Sequence, residues 1–308
     1  MRAWIDSLPK AELHVHLEGS VTAETLCEID PSLTIESARA GYAYADFAGF
    51  LQSFAFAAKR LTQPDHYALA ARRLFAALER QNVRHAEVIL SAGVVLWKGQ
   101  DLAEVWQALQ SVPAPFPVVW NLDAVRQWGV EKAYEVAAMA GALPRNGAVM
   151  SFGLGGDEAG GPARDFGHVY TCARRNGLRL TCHAGETCGP ESIWGALEIG
   201  AERIGHGIRA IEDPVLVEHL AKHAIPLEIS ILSNVRTGAV PSLAAHPIRQ
   251  LFDAGVPVTL NTDDPALFGS CLGDEYEVAW REFGFNQEEL AQIAENGFRY
   301  AFNKEKAK

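Results

Sequence analysis

The chain has 308 residues, 48% of them hydrophobic and 21% charged, which is enough apolar material for a sizeable core and unlike a disordered segment. Its 27 Lys and Arg stand against 38 Asp and Glu, and the formal charge of −11 repels phosphate backbones and anionic lipid, so neither nucleic acid nor a membrane is expected as a partner. Five cysteines, odd in number and without a CxxC pair, argue against a disulfide framework or a cysteine zinc site. The N-terminus lacks the apolar stretch of a secretory signal, and a cytoplasmic location is expected.

Along the chain, short runs rich in branched and apolar residues recur, each ending in polar or Gly-rich sequence and followed by a helix-like stretch. They predict strands at 12–17, 85–91, 117–122, 149–154, 179–183, 203–206, 226–232 and 256–263. Segments 65–81, 102–111, 130–141, 192–200 and 213–223 carry apolar residues at helical spacing. Strand alternating with helix implies right-handed crossovers and a parallel sheet, and eight such units close into a TIM-type (β/α)8 barrel. The stretch 22–60 is longer than one loop and helix require and predicts a helical insertion after strand 1, over the barrel mouth. Segment 286–302 predicts a closing helix, 303–308 a frayed charged tail, and residues 1–308 one domain.

Polar residues stand at the C-terminal ends of these strands, where barrel enzymes keep their chemistry. In Glu12-Leu13-His14-Val15-His16 the two histidines are two apart on an extended strand, so both imidazoles face the barrel interior and can converge on one ion. A pair of hydrogen-bonded core histidines is the bland alternative, hard to satisfy in an apolar strand. Strand five ends at His183 and strand eight at Asp263. Three imidazoles and a carboxylate suit zinc, one ion per chain, and leave a position for a water made acidic by the metal.

Glu186, three residues past His183, suits proton transfer, although a carboxylate there also fits a helix N-cap. His206, between two glycines at the end of strand six, can orient the attacking water. Asp264 diverges from its neighbour Asp263, so one of the two carboxylates faces the substrate. The Gly-rich run from Phe152 to Glu158 allows close approach of a flat ligand and matches no phosphate-loop motif. His66, His85, His168, His219, His223 and His246 lack partners at ligand spacing and read as surface or satisfied core. Trp97 fits either a stacking contact with substrate or a half-exposed structural role.

Taken in order, LPKAELHVHLEGS, HAGE, RIGHG, SNVRTGAV and NTDDP resemble the adenosine deaminase family of zinc-dependent aminohydrolases over nearly the whole chain. The resemblance implies that His14, His16, His183 and Asp263 bind zinc, that Glu186 protonates purine N1 and that His206 orients the hydroxide. It also implies that Asp264 binds N7 and the Gly156 backbone binds N3. The implied reaction is hydrolytic deamination of a 6-aminopurine nucleoside to an inosine-type product and ammonia, the nucleoside being the small-molecule partner. Where adenosine-specific relatives carry an aspartate for the ribose 5′-hydroxyl, this chain has Glu18. In the seventh-strand loop Arg236 stands where relatives acting on plain adenosine tend to have a neutral residue, and it suits an anionic substrate group or a surface acid. Within the family, aminodeoxyfutalosine, with a benzoate on its 5′ side, fits the first of these. Alternatives are adenine deamination, another metal-dependent amidohydrolase, or a barrel retained for binding alone.

Overall fold

In the computed structural model, which describes residues 1–145 and 147–303, eight parallel strands pair in sequence order. They are β1 (Lys10–His16), β2 (Val83–Leu90), β3 (Val118–Val125), β4 (Met150–Gly155), β5 (Arg179–Ala184), β6 (Arg203–His206), β7 (Leu227–Ile229) and β8 (Val258–Leu260). The ring closes through a parallel bridge between Val15 and Asp263, in which Asp263 N–H donates to the His14 carbonyl at 2.9 Å and His16 N–H to the Asp263 carbonyl at 2.7 Å. Eight strands and a shared β1–β8 seam confirm the barrel expected from the alternating pattern. The predicted tail lies, beyond Asn303, outside the described residues.

Strand alternation decides what the barrel holds. Leu13 and Val15 of β1 and Val88 and Leu90 of β2 are buried apolar residues that alternate with buried polar ones such as Glu12, His14 and Glu87. A core of aliphatic and aromatic side chains therefore sits between strands and helices, while the interior is largely polar and satisfied by its own bonds. Arg203 Nε donates to Glu228 at 2.5 Å and Nη2 to Glu87 at 2.6 Å, and Glu87 also accepts the Phe302 N–H at 2.5 Å, so a buried guanidinium joins three parts of the barrel.

The insertion after β1 consists of helices Ala23–Ile29, Ile35–Gly41 and Phe47–Ala58, each started by a side-chain cap from Thr22, Thr34 or Asp46. The last of these lies over the mouth: Phe50 stacks on Phe268 at 5.3 Å and Phe54 meets His16 edge-on at 5.8 Å. Lys98 Nζ fastens its C-terminal end by donating to the carbonyls of Ala58 and Leu61, each at 2.8 Å. Helix Gln287–Tyr300 packs across the β1–β8 seam, where Asn296 donates to the Val258 carbonyl at 3.0 Å.

Two predicted strands end early. The apolar run 226–232 is strand only over Leu227–Ile229, after which the chain enters helix Ile231–Arg236. Buried Glu275 accepts the Ile231 N–H at 2.8 Å and the Leu232 N–H at 3.1 Å, satisfying the first turn of that helix from a distant part of the sequence. A continuous apolar run does not by itself separate strand from buried helix. Likewise β8 stops at Leu260, and Asp263 meets β1 with φ of 60°, outside the strand region.

Candidate active site

His14, His16, His183, Glu186, His206, Asp263 and Asp264 come together at the C-terminal mouth of the barrel from β1, β5, β6 and β8, although 250 residues separate the first from the last. His206 and Asp263 both have positive φ, 61° and 60°, a region that residues other than glycine rarely occupy. The bonds across the β1 seam impose this conformation on Asp263, and Gly207 N–H bonded to the Ala184 carbonyl at 3.0 Å fixes the chain just after His206.

One atom from each of His14, His183, His206 and Asp263 falls in a group whose members all lie within 4.8 Å of one another, and His16 forms a second group with Asp263 and Asp264. His16 Nε2 stands 3.2 Å from His183 Nε2 and 3.2 Å from an Asp263 oxygen, and His14 Nε2 lies 3.4 Å from that same oxygen. His14 Nδ1 is committed to Glu228 at 2.7 Å, while its Nε2 is buried without a hydrogen-bond partner among the described residues. A carboxylate behind an imidazole fixes the tautomer that leaves the other nitrogen's lone pair free for a cation. Borderline nitrogen donors beside a carboxylate fit a divalent metal such as zinc.

Several supporting residues were not assigned a role from the sequence. Ser233 donates to Asp263 at 2.7 Å, and Asp123 lies 3.6 Å from His183 Nδ1. Arg126 is buried and donates to the His183 carbonyl and, at 3.0 Å, to that of Leu154. Glu158 accepts the backbone N–H groups of Gly185 (2.6 Å), Glu186 (3.0 Å), Thr187 (2.6 Å) and Cys188 (3.0 Å), and the hydroxyls of Thr187 (3.1 Å) and Ser192 (2.6 Å). It thereby gathers the loop that carries Glu186, which is a fuller role than the N-cap considered for Glu186 itself.

A further chain fixes His206. The Ile248 N–H donates to His246 Nδ1 at 3.2 Å, so the proton of neutral His246 sits on Nε2, which faces Asn234 Oδ1 at 3.2 Å. The Asn234 amide then donates to His206 Nδ1 at 3.1 Å, leaving Nε2 of neutral His206 to carry its proton toward Glu186, 3.6 Å away. His246 is the satisfied core histidine expected from the sequence, with a bearing on the site. SNVRTGAV held the signal for Ser233 and Asn234; Glu158, Asp123 and Glu228 are joined to the site only by the fold.

Burial, followed by the charges of Asp263 and Glu158, raises the Glu186 carboxyl well above its ordinary range. Burial and then Asp263 do the same for Asp264, whose Oδ1 is buried without a partner among the described residues. Burial and neighbouring imidazoles lower His183, and burial lowers His206 to about 4. Burial alone would raise Asp263, but bonds from His14 and His16 hold it well below the usual carboxylate range.

These groups form the floor of a cavity of about 340 Å³ that Gly156 also lines. Gly156 has φ of 97°, and a Cβ there would meet Gln127 Oε1 at 2.2 Å, so backbone alone faces this wall. The structure does not bring Glu18 and Arg236 to the cavity lining. Glu18 is buried in the turn after β1, where its carboxylate accepts the Ser91 N–H at 3.1 Å. Arg236 is exposed, because the early end of β7 carries it to the last position of helix Ile231–Arg236.

Eight parallel strands with a buried His/Asp cluster able to hold a metal at their C-terminal mouth place the chain among the metal-binding barrel enzymes. The chain belongs to the adenosine deaminase family, whose model matches residues 9–308, and is an aminohydrolase. It is 38% identical to an aminodeoxyfutalosine deaminase of Streptomyces avermitilis over 98% of this chain and 88% of that one. It is 33% identical to an adenine deaminase of Cupriavidus necator, over 96% and 87% respectively. An amidohydrolase from Burkholderia ambifaria solved with bound zinc superposes with a TM-score of 0.91 at 25% identity, covering 99% of this chain and 89% of the other. Among the described residues, no helix is long and apolar enough to cross a membrane.

Proposed function

We propose that this protein deaminates a 6-aminopurine nucleoside, with aminodeoxyfutalosine as the substrate, using one zinc ion held by His14, His16, His183 and Asp263. The observation that carries the reading is Glu186, buried and inclined to stay protonated, beside a buried His/Asp cluster at the end of a deep cavity. His16 is preferred to His206 as the fourth ligand because its Nε2 stands 3.2 Å from both His183 and Asp263, whereas His206 Nε2 is 4.0 Å from Asp263 and its Nδ1 is engaged by Asn234.

Zinc bound there would supply a water acidic enough to yield hydroxide near neutral pH, with a pKa of roughly 7. Glu186 gives its proton to ring nitrogen N1 as negative charge builds on the purine. His206 holds the nucleophile's direction. Asp264, whose burial favours its protonated form, donates from its unpartnered side to N7, and the Gly156 backbone meets N3. The amino group leaves as ammonia and an inosine-type nucleoside remains.

The identity to an aminodeoxyfutalosine deaminase supports that substrate. Adenine is the second reading, supported by the 33% identity to an adenine deaminase and by Glu18, which does not line the cavity. Ammonia release measured from adenosine, adenine, AMP, S-adenosylhomocysteine and aminodeoxyfutalosine tests both. The highest kcat/KM is expected for aminodeoxyfutalosine; a preference for adenine replaces the first reading with the second, and turnover of none refutes both.

A further inference from the structure

The cavity changes character along its length. Its floor is polar, but toward solvent its walls are Phe47, Leu51, Phe54, Val94, Trp97 and Trp128. Trp97 is 60% exposed and Trp128 38%, so both indoles present apolar area at the cavity entrance. Their rings stack on each other at 5.9 Å with 29° between planes. Lys59, at the end of the covering helix, holds its Nζ 6.0 Å from the Trp97 ring centre and is the one Lys or Arg lining the cavity among the described residues.

Resting on the purine reading above, we propose that this mouth is a subsite for a planar ring bearing a carboxylate on the far side of the nucleoside, with Trp97 and Trp128 taking the ring and Lys59 the anion. C6 and N9 lie on opposite edges of a purine, so an amino group placed at the floor directs whatever hangs from N9 into the mouth. A bare ribose would bring hydroxyls to aromatic walls that offer them few partners, whereas a flat ring gains contact with indole faces. A phosphate is a poorer match: its three oxygens would meet a single flexible ammonium and no arginine fork. In a protein of charge −11, a lone cation at the entrance also offsets the field that otherwise repels an anionic substrate. Lys59 thus takes the part that the sequence suggested for Arg236, which stands outside the cavity lining.

The test compares kcat/KM for three probes: a 6-aminopurine nucleoside with a carboxyphenyl group at the 5′ position, its carboxamide, and adenosine. Each ratio is taken within one enzyme preparation, so a variant's general loss of activity cancels. Wild type should favour the acid over the carboxamide by about 5-fold, as expected for a partly exposed ion pair. Lys59→Met should bring that ratio close to unity and Lys59→Glu should invert it. Trp97→Ala should reduce the preference for either aryl probe over adenosine by roughly tenfold. A wild type that deaminates all three probes alike, or an acid preference that survives Lys59→Met but disappears in Arg236→Met, overturns the subsite and leaves the purine reading intact. Turnover of none of the three overturns the purine reading and the subsite together.

Discussion

Replacing Glu158 by Gln removes the charge at the centre of six hydrogen bonds while keeping the shape of the side chain. Four donors converge on Oε2 (the N–H groups of Glu186, Thr187 and Cys188 and the Thr187 hydroxyl), and two converge on Oε1, from the Gly185 N–H and the Ser192 hydroxyl. The amide of Gln is best placed at Oε1, where the Ser192 hydroxyl can turn to accept but the Gly185 N–H faces another donor. One buried N–H left unpaired costs about 1–3 kcal/mol, and the four remaining bonds lose their charge assistance. Relief of the carboxylate's own desolvation offsets part of this, so the net loss should be about 2–4 kcal/mol, within the stability of a folded domain. Because Gly185 and Glu186 are adjacent, a loosened loop should also lower kcat by roughly 10–100-fold with little change in KM.

Urea unfolding and steady-state kinetics measure the two effects. Burial opposes ionisation of Glu158, but bonds from Ser192, Cys188 and Thr187 hold its pKa below the ordinary 4.5. A lowered folded-state pKa contributes stability that is present above the unfolded value and disappears as pH falls through the folded one. The difference between wild type and Glu158→Gln should therefore be full at neutral pH and shrink in acid. A variant with wild-type midpoint and wild-type kcat would refute the claim that Glu158 organises this loop.

Glu186→Gln should reduce kcat by about 10²–10⁴-fold, and the fall of kcat/KM with rising pH that reports loss of the Glu186 proton should vanish from its pH profile. A Cβ on Gly19 would lie 1.7 Å from Asp264 Oδ1, so Gly19→Ala should lower stability by about 1–3 kcal/mol in urea unfolding and raise KM as Asp264 is displaced. His246→Leu should lower kcat by roughly tenfold. In 15N NMR of the metal-free protein, His206 should be the Nε2–H tautomer in wild type and a mixture in the variant; an unchanged tautomer would count against the relay through Asn234.

Much of the site was legible because barrel chemistry sits at strand ends, and a strand end can be found from local sequence. His14, His16, His183, Glu186, His206, Asp263 and Asp264 all follow from that rule and are gathered by the fold at one mouth. The positions that fall outside the cavity lining lie where distant residues set the local structure. Glu275 starts a helix inside an apolar run that reads as strand, and this places Arg236 at a helix end in solvent. Glu18 reads as a pocket residue, but in the fold one of its oxygens accepts the N–H of Ser91 from the end of another strand, while the other is buried without a partner among the described residues. Glu158 was visible as part of a Gly-rich run, but its five partner residues lie 27 to 34 positions away, and no local spacing announces them.

Zinc loading of the His/Asp cluster and deamination of a purine nucleoside by the loaded protein are proposed together and can be measured together. Chelated protein should be titrated with zinc while ammonia release from aminodeoxyfutalosine is followed. No turnover is expected without metal, and activity should rise linearly with zinc and level off at one equivalent per chain. Turnover by the metal-free protein, or none at one equivalent, would contradict the proposal.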